Sequence, residues 1–339
     1  MVLTYCINHT RFAVDDLSYV GTVRREIKAI GKLCGFDETQ LDKLSRVSTE
    51  LATNLVKHAG RGEILASPIL TPEGQAIDLV SIDRGPGIED TENALKDGYS
   101  TCGTYGGGLG AMQRVASRFE ISSVPGKGTA IFLRVPASPP RSRGARSAKF
   151  DVGALCTPHP RESVSGDTVC FAFDETMASV LVVDALGHGR EAYESAAAAA
   201  EVFRANPFGN PENMIGTMDR KLSGMRGIAL ALACFDLTRG KVDFVGVGNI
   251  NARIYSGPAS QGLCSGRGTV GANPGSLKLY EYDWPRGSAM LLFSDGITSD
   301  ANIKDFREHS APILASRLYC DHRRNTDDAT VVVLKDLRS

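Results

Sequence analysis

The stretch that most limits how this chain can fold is residues 136–149, PASPPRSRGARSAK. It holds three prolines and four cations (Arg141, Arg143, Arg146, Lys149), with no acid and no large apolar side chain. Such a run cannot bury enough surface to offset the entropy of ordering it. The apolar pattern stops at Leu133-Arg134-Val135 and resumes at Phe150-Asp151-Val152. The reading is therefore two domains, 1–135 and 150–339, joined by a linker at 136–149, in keeping with roughly 100–200 residues per domain. As a flexible chain the linker reaches only ~20 Å from end to end.

Composition removes several classes. Lys plus Arg number 38 and Asp plus Glu 39, a net charge of -1 that argues against a general nucleic-acid binder. Hydrophobic residues at 42% and charged residues at 23% exclude disorder over the whole chain. The longest apolar stretches, such as 226–235 and 289–293, fall short of the roughly 20 residues that a membrane span needs. The start, MVLTYCINHTRFAVDD, lacks a basic-then-apolar run, so no secretory signal is expected. The eight cysteines form no C-x-x-C pair and no zinc-like cluster; reduced thiols in a cytoplasmic protein are the expectation.

Periodicity places the elements of the first half. Val20, Val23, Ile27, Ile30 and Leu33 predict a helix over 16–34, and Leu41, Leu44, Val47, Leu51 and Leu55 a second from Asp37, a good N-cap, to His58. Residues 77–83 read as a buried strand, 91–97 and 108–118 as helical, and 119–124 and 129–135 as strands joined by the turn Pro125-Gly126-Lys127-Gly128. Three polar features fall on this frame. Glu50, Asn54 and His58 are four apart and share one helix face. Facing solvent they are a polar stripe. Facing a phosphate, the amide can ligate Mg²⁺ and the carboxylate can take a proton from an attacking hydroxyl. Asp83-Arg84-Gly85-Pro86-Gly87 follows a strand, where a carboxylate can accept from an exocyclic amine and glycines admit close backbone approach; alone it is a common turn. Gly103–Gly110 opens into a helix and can present free N–H groups to anions. It is not a Walker loop, because no Gly-Lys-Ser/Thr follows, and no strand directly precedes it.

The order of these features is more specific than any one. ELATNLVKHA, IDRGPGI and GGGLGAMQRV, closed by Gly126-Lys127-Gly128-Thr129, resemble the GHKL ATPase family, and look closest to serine/threonine kinases of the RsbT and RsbW type. The resemblance covers about residues 10–135. It implies a GHKL (Bergerat) α/β sandwich, a mixed sheet backed by helices, that binds ATP and Mg²⁺. It implies Glu50 as general base, Asn54 on Mg²⁺, Asp83 on adenine with Gly85 and Gly87 beside it, Gly106, Gly107, Gly108, Leu109 and Gly110 as lid and phosphate contacts, and Thr129 near the base.

The second half places aspartates where strands begin or end. Ser165-Gly166-Asp167 precedes the strand 169–173, Asp184-Ala185-Leu186-Gly187-His188-Gly189 follows 180–183, Ser294-Asp295-Gly296 follows 290–293, and Asp327-Asp328 opens 331–334. Each Asp-Gly alone is a turn. Four in this order can converge on hard divalent cations, which bind a phosphate ester and activate water for in-line attack.

SGD, VVDALGHG, FSDGITS and DDATVVVL resemble the type 2C metal-dependent protein phosphatases, in particular the SpoIIE branch and its small RsbX-like members, over about 150–337. The resemblance implies an αββα sandwich and two Mn²⁺ or Mg²⁺ ions. The implied ligands are Asp167, Asp184, the backbone carbonyl of Ala185, Asp295 and one of Asp327 or Asp328, with Asp327 favoured. The family pattern has glycine where this chain has Ala185. His188 either shuttles a proton or shapes the turn.

The expected whole is an α+β chain of two domains that fuses a protein serine/threonine kinase to a phosphatase of opposite sense. Relatives of both halves act on STAS-domain proteins, so such a partner, or a stressosome-like scaffold, is the implied substrate, with no nucleic acid or membrane involved. Two alternatives differ in class. In one, the first half is an anti-sigma factor that sequesters a sigma factor and uses phosphorylation only for release. In the other it is a binding module that activates a downstream signalling enzyme.

Overall fold

The computed structural model describes residues 2–95, 108–138, 149–257, 259–303 and 306–338. The chain forms two compact units: Thr10–Ala145, and a second that joins Met1–His9 to Arg146–Ser339. The start of the chain thus departs from the sequence boundary at 1–135. The described residues ahead of the first unit are built into the second, because Leu3–Ile7 is itself a strand of that unit's sheet.

In the first unit, five described strands are ordered Thr10–Val14, Gly62–Thr71, Gly74–Asp83, Gly128–Pro136, Arg118–Val124, each antiparallel to its neighbour. The expected mixed sheet is corrected to an antiparallel one. Two of its four pairings are tight hairpins, which can only run antiparallel. One face is covered by the helices Ser18–Leu33 and Glu38–Asn54. Val23, Ile27, Leu44 and Leu51 from these helices meet Ile64, Ile77, Leu79 and Leu133 from the sheet in one core. Asp37 caps the second helix, its carboxylate accepting from Gln40 N at 2.8 Å. The helix ends at Asn54 and runs on as a π-helical turn, Leu55–Ala59, a rare geometry that recurs at functional sites. Pro136 and Ala137 still pair with this sheet, so the linker starts later than residue 136; residues 139–148 lie outside the described set.

In the second unit two sheets are stacked. One runs Leu3–Ile7, Asp167–Phe173, Met177–Ala185, Ile228–Asp236, Lys241–Val247, with short strands at its far edge. The other runs Ala259–Gly262, Asn251–Ser256, Ala289–Phe293, Ala329–Asp336, Phe150–Thr157. Phe150 of the second sheet packs on Phe173 and Phe235 of the first, ring centroids 5.7 Å apart in each case, and this aromatic layer with buried Trp284 fills the space between them. Arg190–Ala205 covers the outer face of the first sheet; its small Ala192, Ala196 and Ala199 allow close approach. Ala311–His322 lies on the second. The αββα sandwich is the one expected.

Candidate active sites

In the first unit the three polar features come together. The asparagine helix reaches the start of the helix Gly108–Val115 through Glu50: a Cβ on Gly108 would overlap the Glu50 carboxylate, so a side chain there would push that carboxylate aside. One turn on, Asn54 is half-buried at the end of the regular helix. The π-turn that follows lies against the Asp83 loop, where a Cβ on Gly85 would stand 2.7 Å from Ala59 Cα. Asp83 Oδ1 accepts from Gly85 N at 2.8 Å and from Thr129 N at 3.2 Å. Gly128, at φ 88°, has its Cα against the Asp83 carbonyl with no room for a side chain. Gly87 touches the turn after Val124, and buried Thr129 shares a 2.8 Å hydrogen bond with Ser123, whose Oγ also accepts from Ile88 N at 2.7 Å. Leu109 and Gly110 follow on the Gly108 helix, while Gly106 and Gly107 lie outside the described residues. Lys57 and His58 are exposed. Sequence reading missed Ser123, because a serine within a strand carries no motif.

In the second unit Asp167 and Asp184 oppose each other across neighbouring strands. Burial, then the charges of Asp295, Asp327 and Asp328, push the Asp184 carboxyl up to about 8. Burial and then the Asp184 charge hold Asp167 well above the usual carboxylate range, against the Ser294 hydroxyl, which donates to Asp167 Oδ2 at 2.7 Å. Asp295 is raised by burial and then by Asp327, and it accepts from Asn249 Nδ2 at 2.8 Å. The paired aspartates divide. Both oxygens of buried Asp328 are taken by backbone donors, His159 N at 2.6 Å and Gly166 N at 2.8 Å. Asp327 is only half-buried and borders Asp184 and Asp295. A Cβ on Gly166 would stand 2.9 Å from Asp328 Oδ2, which explains glycine before Asp167. No described non-glycine residue has a positive φ, so alanine is accommodated at 185 without strain. His188 Nδ1 is 2.8 Å from Glu162 Oε1, and its ring stacks on His159 at 4.5 Å. Asn249, Glu162 and His159 escaped sequence reading, since each lies in an ordinary-looking turn or strand end, and Ser294 was singled out only as the neighbour of Asp295.

As the side chains stand, no three of the described His, Cys, Asp and Glu residues are arranged to hold an ion. The donor chemistry nonetheless fits hard divalent cations. Carboxylates crowded in a buried place repel one another and lose hydration, and positive charge relieves both penalties. Oxygen donors with no thiolate suit Mg²⁺ or Mn²⁺.

One expectation is overturned. Cys6 and Cys170 form a disulfide, so the cysteines are not all free thiols. They are 164 residues apart, and the pairing of Leu3–Ile7 with Asp167–Phe173 sets them directly opposite. Cys34, Cys156, Cys234, Cys264 and Cys320 are free. No described helix is long and apolar enough to cross a membrane.

The family model described as histidine kinase-like ATPase domain matches residues 13–135, and that of stage II sporulation protein E matches 174–336. The serine/threonine-protein kinase RsbT of Bacillus subtilis is 32% identical over 102 residues, 30% of this chain and 77% of its own length. The phosphoserine phosphatase RsbX of the same organism is 23% identical over 150 residues, 44% of this chain and 73% of RsbX. A solved chain described under "The bacterial stressosome: a modular system that has been adapted to control secondary messenger signaling" is 27% identical, with TM-score 0.52, over 55% of this chain and 100% of its own. RsbX with magnesium shares the fold at TM-score 0.52 and 18% identity, over 57% of this chain and 98% of that one. In its first part the chain belongs to the GHKL family of histidine kinase-like ATPase domains, and its second part is similar to stage II sporulation protein E and to RsbX.

Proposed function

We propose that the protein is a bifunctional regulator in a partner-switching pathway. Its first unit phosphorylates Ser or Thr of a STAS-domain partner with ATP and Mg²⁺, and its second removes phosphate from Ser or Thr with two Mn²⁺ or Mg²⁺ ions. One observation supports this most: Asp167, Asp184, Asp295 and Asp327 gather at strand ends in a unit separate from the one where Glu50 meets the glycine segment.

The roles follow from placement. Glu50, at the opening of the Gly108 helix, takes the proton of the attacking hydroxyl, and Asn54 holds Mg²⁺. Asp83, its Oδ1 fixed by two backbone donors, reads the base. In the second unit Asp167, Asp184, the Ala185 carbonyl, Asp295 and Asp327 hold the cations, while Asp328 pins the loops around them. Bound cations would supply the charge that draws electrons from the phosphate and lowers the proton affinity of water. His188, steadied by Glu162, is placed to move a proton.

Both activities on one phosphoserine would only hydrolyse ATP, so the two units act on different targets or alternate. The test is to incubate a STAS-domain protein with the chain and ATP·Mg²⁺, add Mn²⁺, and map phosphosites by mass spectrometry. Phosphate gained in the first step and lost in the second supports the proposal. A STAS protein unmodified throughout contradicts it.

A further inference from the structure

The residues ahead of the nucleotide-binding unit are built into the carboxylate site of the other. Leu3–Ile7 pairs in full register with the strand that begins at Asp167, from Leu3 opposite Phe173 to Ile7 opposite Val169. The disulfide from Cys6 fixes this strand to Cys170, three residues from Asp167. Just beyond, His9 is buried and makes a reciprocal pair with Cys156 on the opposite sheet: His9 N donates to Cys156 O at 2.8 Å, and Cys156 N donates to His9 Nδ1 at 3.3 Å. The Cys156 thiol in turn lies 3.4 Å from the Asp167 carbonyl and 3.9 Å from Ser165 Oγ, which accepts from Asp167 N at 3.1 Å. With its amide turned to meet acceptors, Asn8 donates to the Asp167 carbonyl at 3.1 Å and to Ile7 O at 3.0 Å. Burial lowers His9 to about 4, so the ring is neutral at physiological pH and can keep Nδ1 as an acceptor.

Both peptide groups of Asp167 are therefore held by a network that starts in the segment before Thr10. We propose that Leu3–His9 is a positioning element of the cation site, holding Asp167 through Asn8, His9 and Cys156, and that the Cys6–Cys170 bond makes cation affinity depend on thiol redox state. The proposal rests on the phosphatase reading for what the site binds. Groups that orient a metal ligand without touching the metal are worth about 10–100-fold in affinity. Reduction by a dithiol adds two electrons and two protons to the disulfide, frees both thiols and leaves the reductant as its own cyclic disulfide.

The experiment is Mn²⁺ binding to the full chain, read from the free-ion electron paramagnetic resonance signal. It compares oxidised protein with protein reduced by dithiothreitol and then freed of it. Reduction is expected to weaken Mn²⁺ binding about tenfold. Cys6→Ser should bind at the weaker level and ignore reductant. His9→Gln, which keeps an acceptor for Cys156 N, should bind more tightly than His9→Ala. Nucleotide binding should be the same in all. Equal Mn²⁺ affinity before and after reduction, or a Cys6→Ser protein whose affinity falls on reduction as much as the wild type's does, overturns the proposal. So does a lower melting temperature in the variants with unchanged Mn²⁺ affinity, since the segment would then be a structural staple alone. Oxidised wild type that binds no Mn²⁺ overturns the phosphatase reading and this proposal with it.

Discussion

The two sites are built on different physics. Around Glu50 and Asp83 the design is one of shape: glycines at 85, 108 and 128 let backbone and side chain approach where a single Cβ would collide. Around Asp184 the design is one of charge: carboxylates share a buried place that none would occupy ionised by choice. A shape site should fail when volume is added. A charge site should fail when charge, its supports or the pH is altered.

The predictions press on that contrast. The pH response has the largest expected size. His9 is lowered to about 4 in the folded chain against 6.5 for a free histidine. The unfolded chain takes up this proton from about pH 6.5 downward and the folded chain only near 4. The stability this neutral ring carries is therefore present above 6.5 and lost as pH falls to 4, by up to about 3 kcal/mol. Asp184, raised to about 8, acts with the opposite sign without metal: its contribution is present in acid and lost as pH rises from about 4 to 8. The check is urea unfolding of wild type and His9→Gln at both ends of the range. The gap between them should close toward pH 4, and a constant gap would contradict the buried neutral ring.

Next, Gly108→Ala should push Glu50 aside and cost phosphoryl transfer ~10²-fold, the usual penalty for an ångström of misplacement. Mn²⁺-dependent phosphate release should be untouched. An alanine enzyme with full kinase rate would show that the approach of Glu50 to Gly108 is not part of the site. The smallest effect is Asn249→Ala, which removes the amide that supports Asp295. It should raise the Mn²⁺ needed for half-maximal phosphatase activity about tenfold while maximal rate holds. An unchanged requirement would mean that Asp295 needs no such support.

Legibility in the sequence follows the same divide. Helical spacing and the Asp37 cap placed the asparagine helix to within a few residues, because apolar periodicity and capping are local. Strand ends carrying Asp184 and Asp295 were likewise readable, since a valine-rich run before Asp-Ala marks the first and an apolar run before Ser-Asp-Gly the second. What escaped was long-range. Nothing near Leu3–Ile7 announces that it pairs with a strand some 160 residues on, so the disulfide and the altered domain boundary went unread. What sets Asp327 apart from Asp328 is also non-local: only the fold shows two backbone N–H groups closing on Asp328.

The most direct measurement is a crossed pair of variants, Glu50→Ala and Asp295→Asn, assayed in full-length protein for phosphoryl transfer from ATP and for Mn²⁺-dependent hydrolysis of a phosphoserine peptide. Glu50→Ala should lose ~10²–10⁴-fold in transfer and keep hydrolysis. Asp295→Asn should lose hydrolysis and keep ATP binding and transfer. If either substitution removes both activities from protein that remains folded, or removes neither, the account of two independent sites on one chain is wrong.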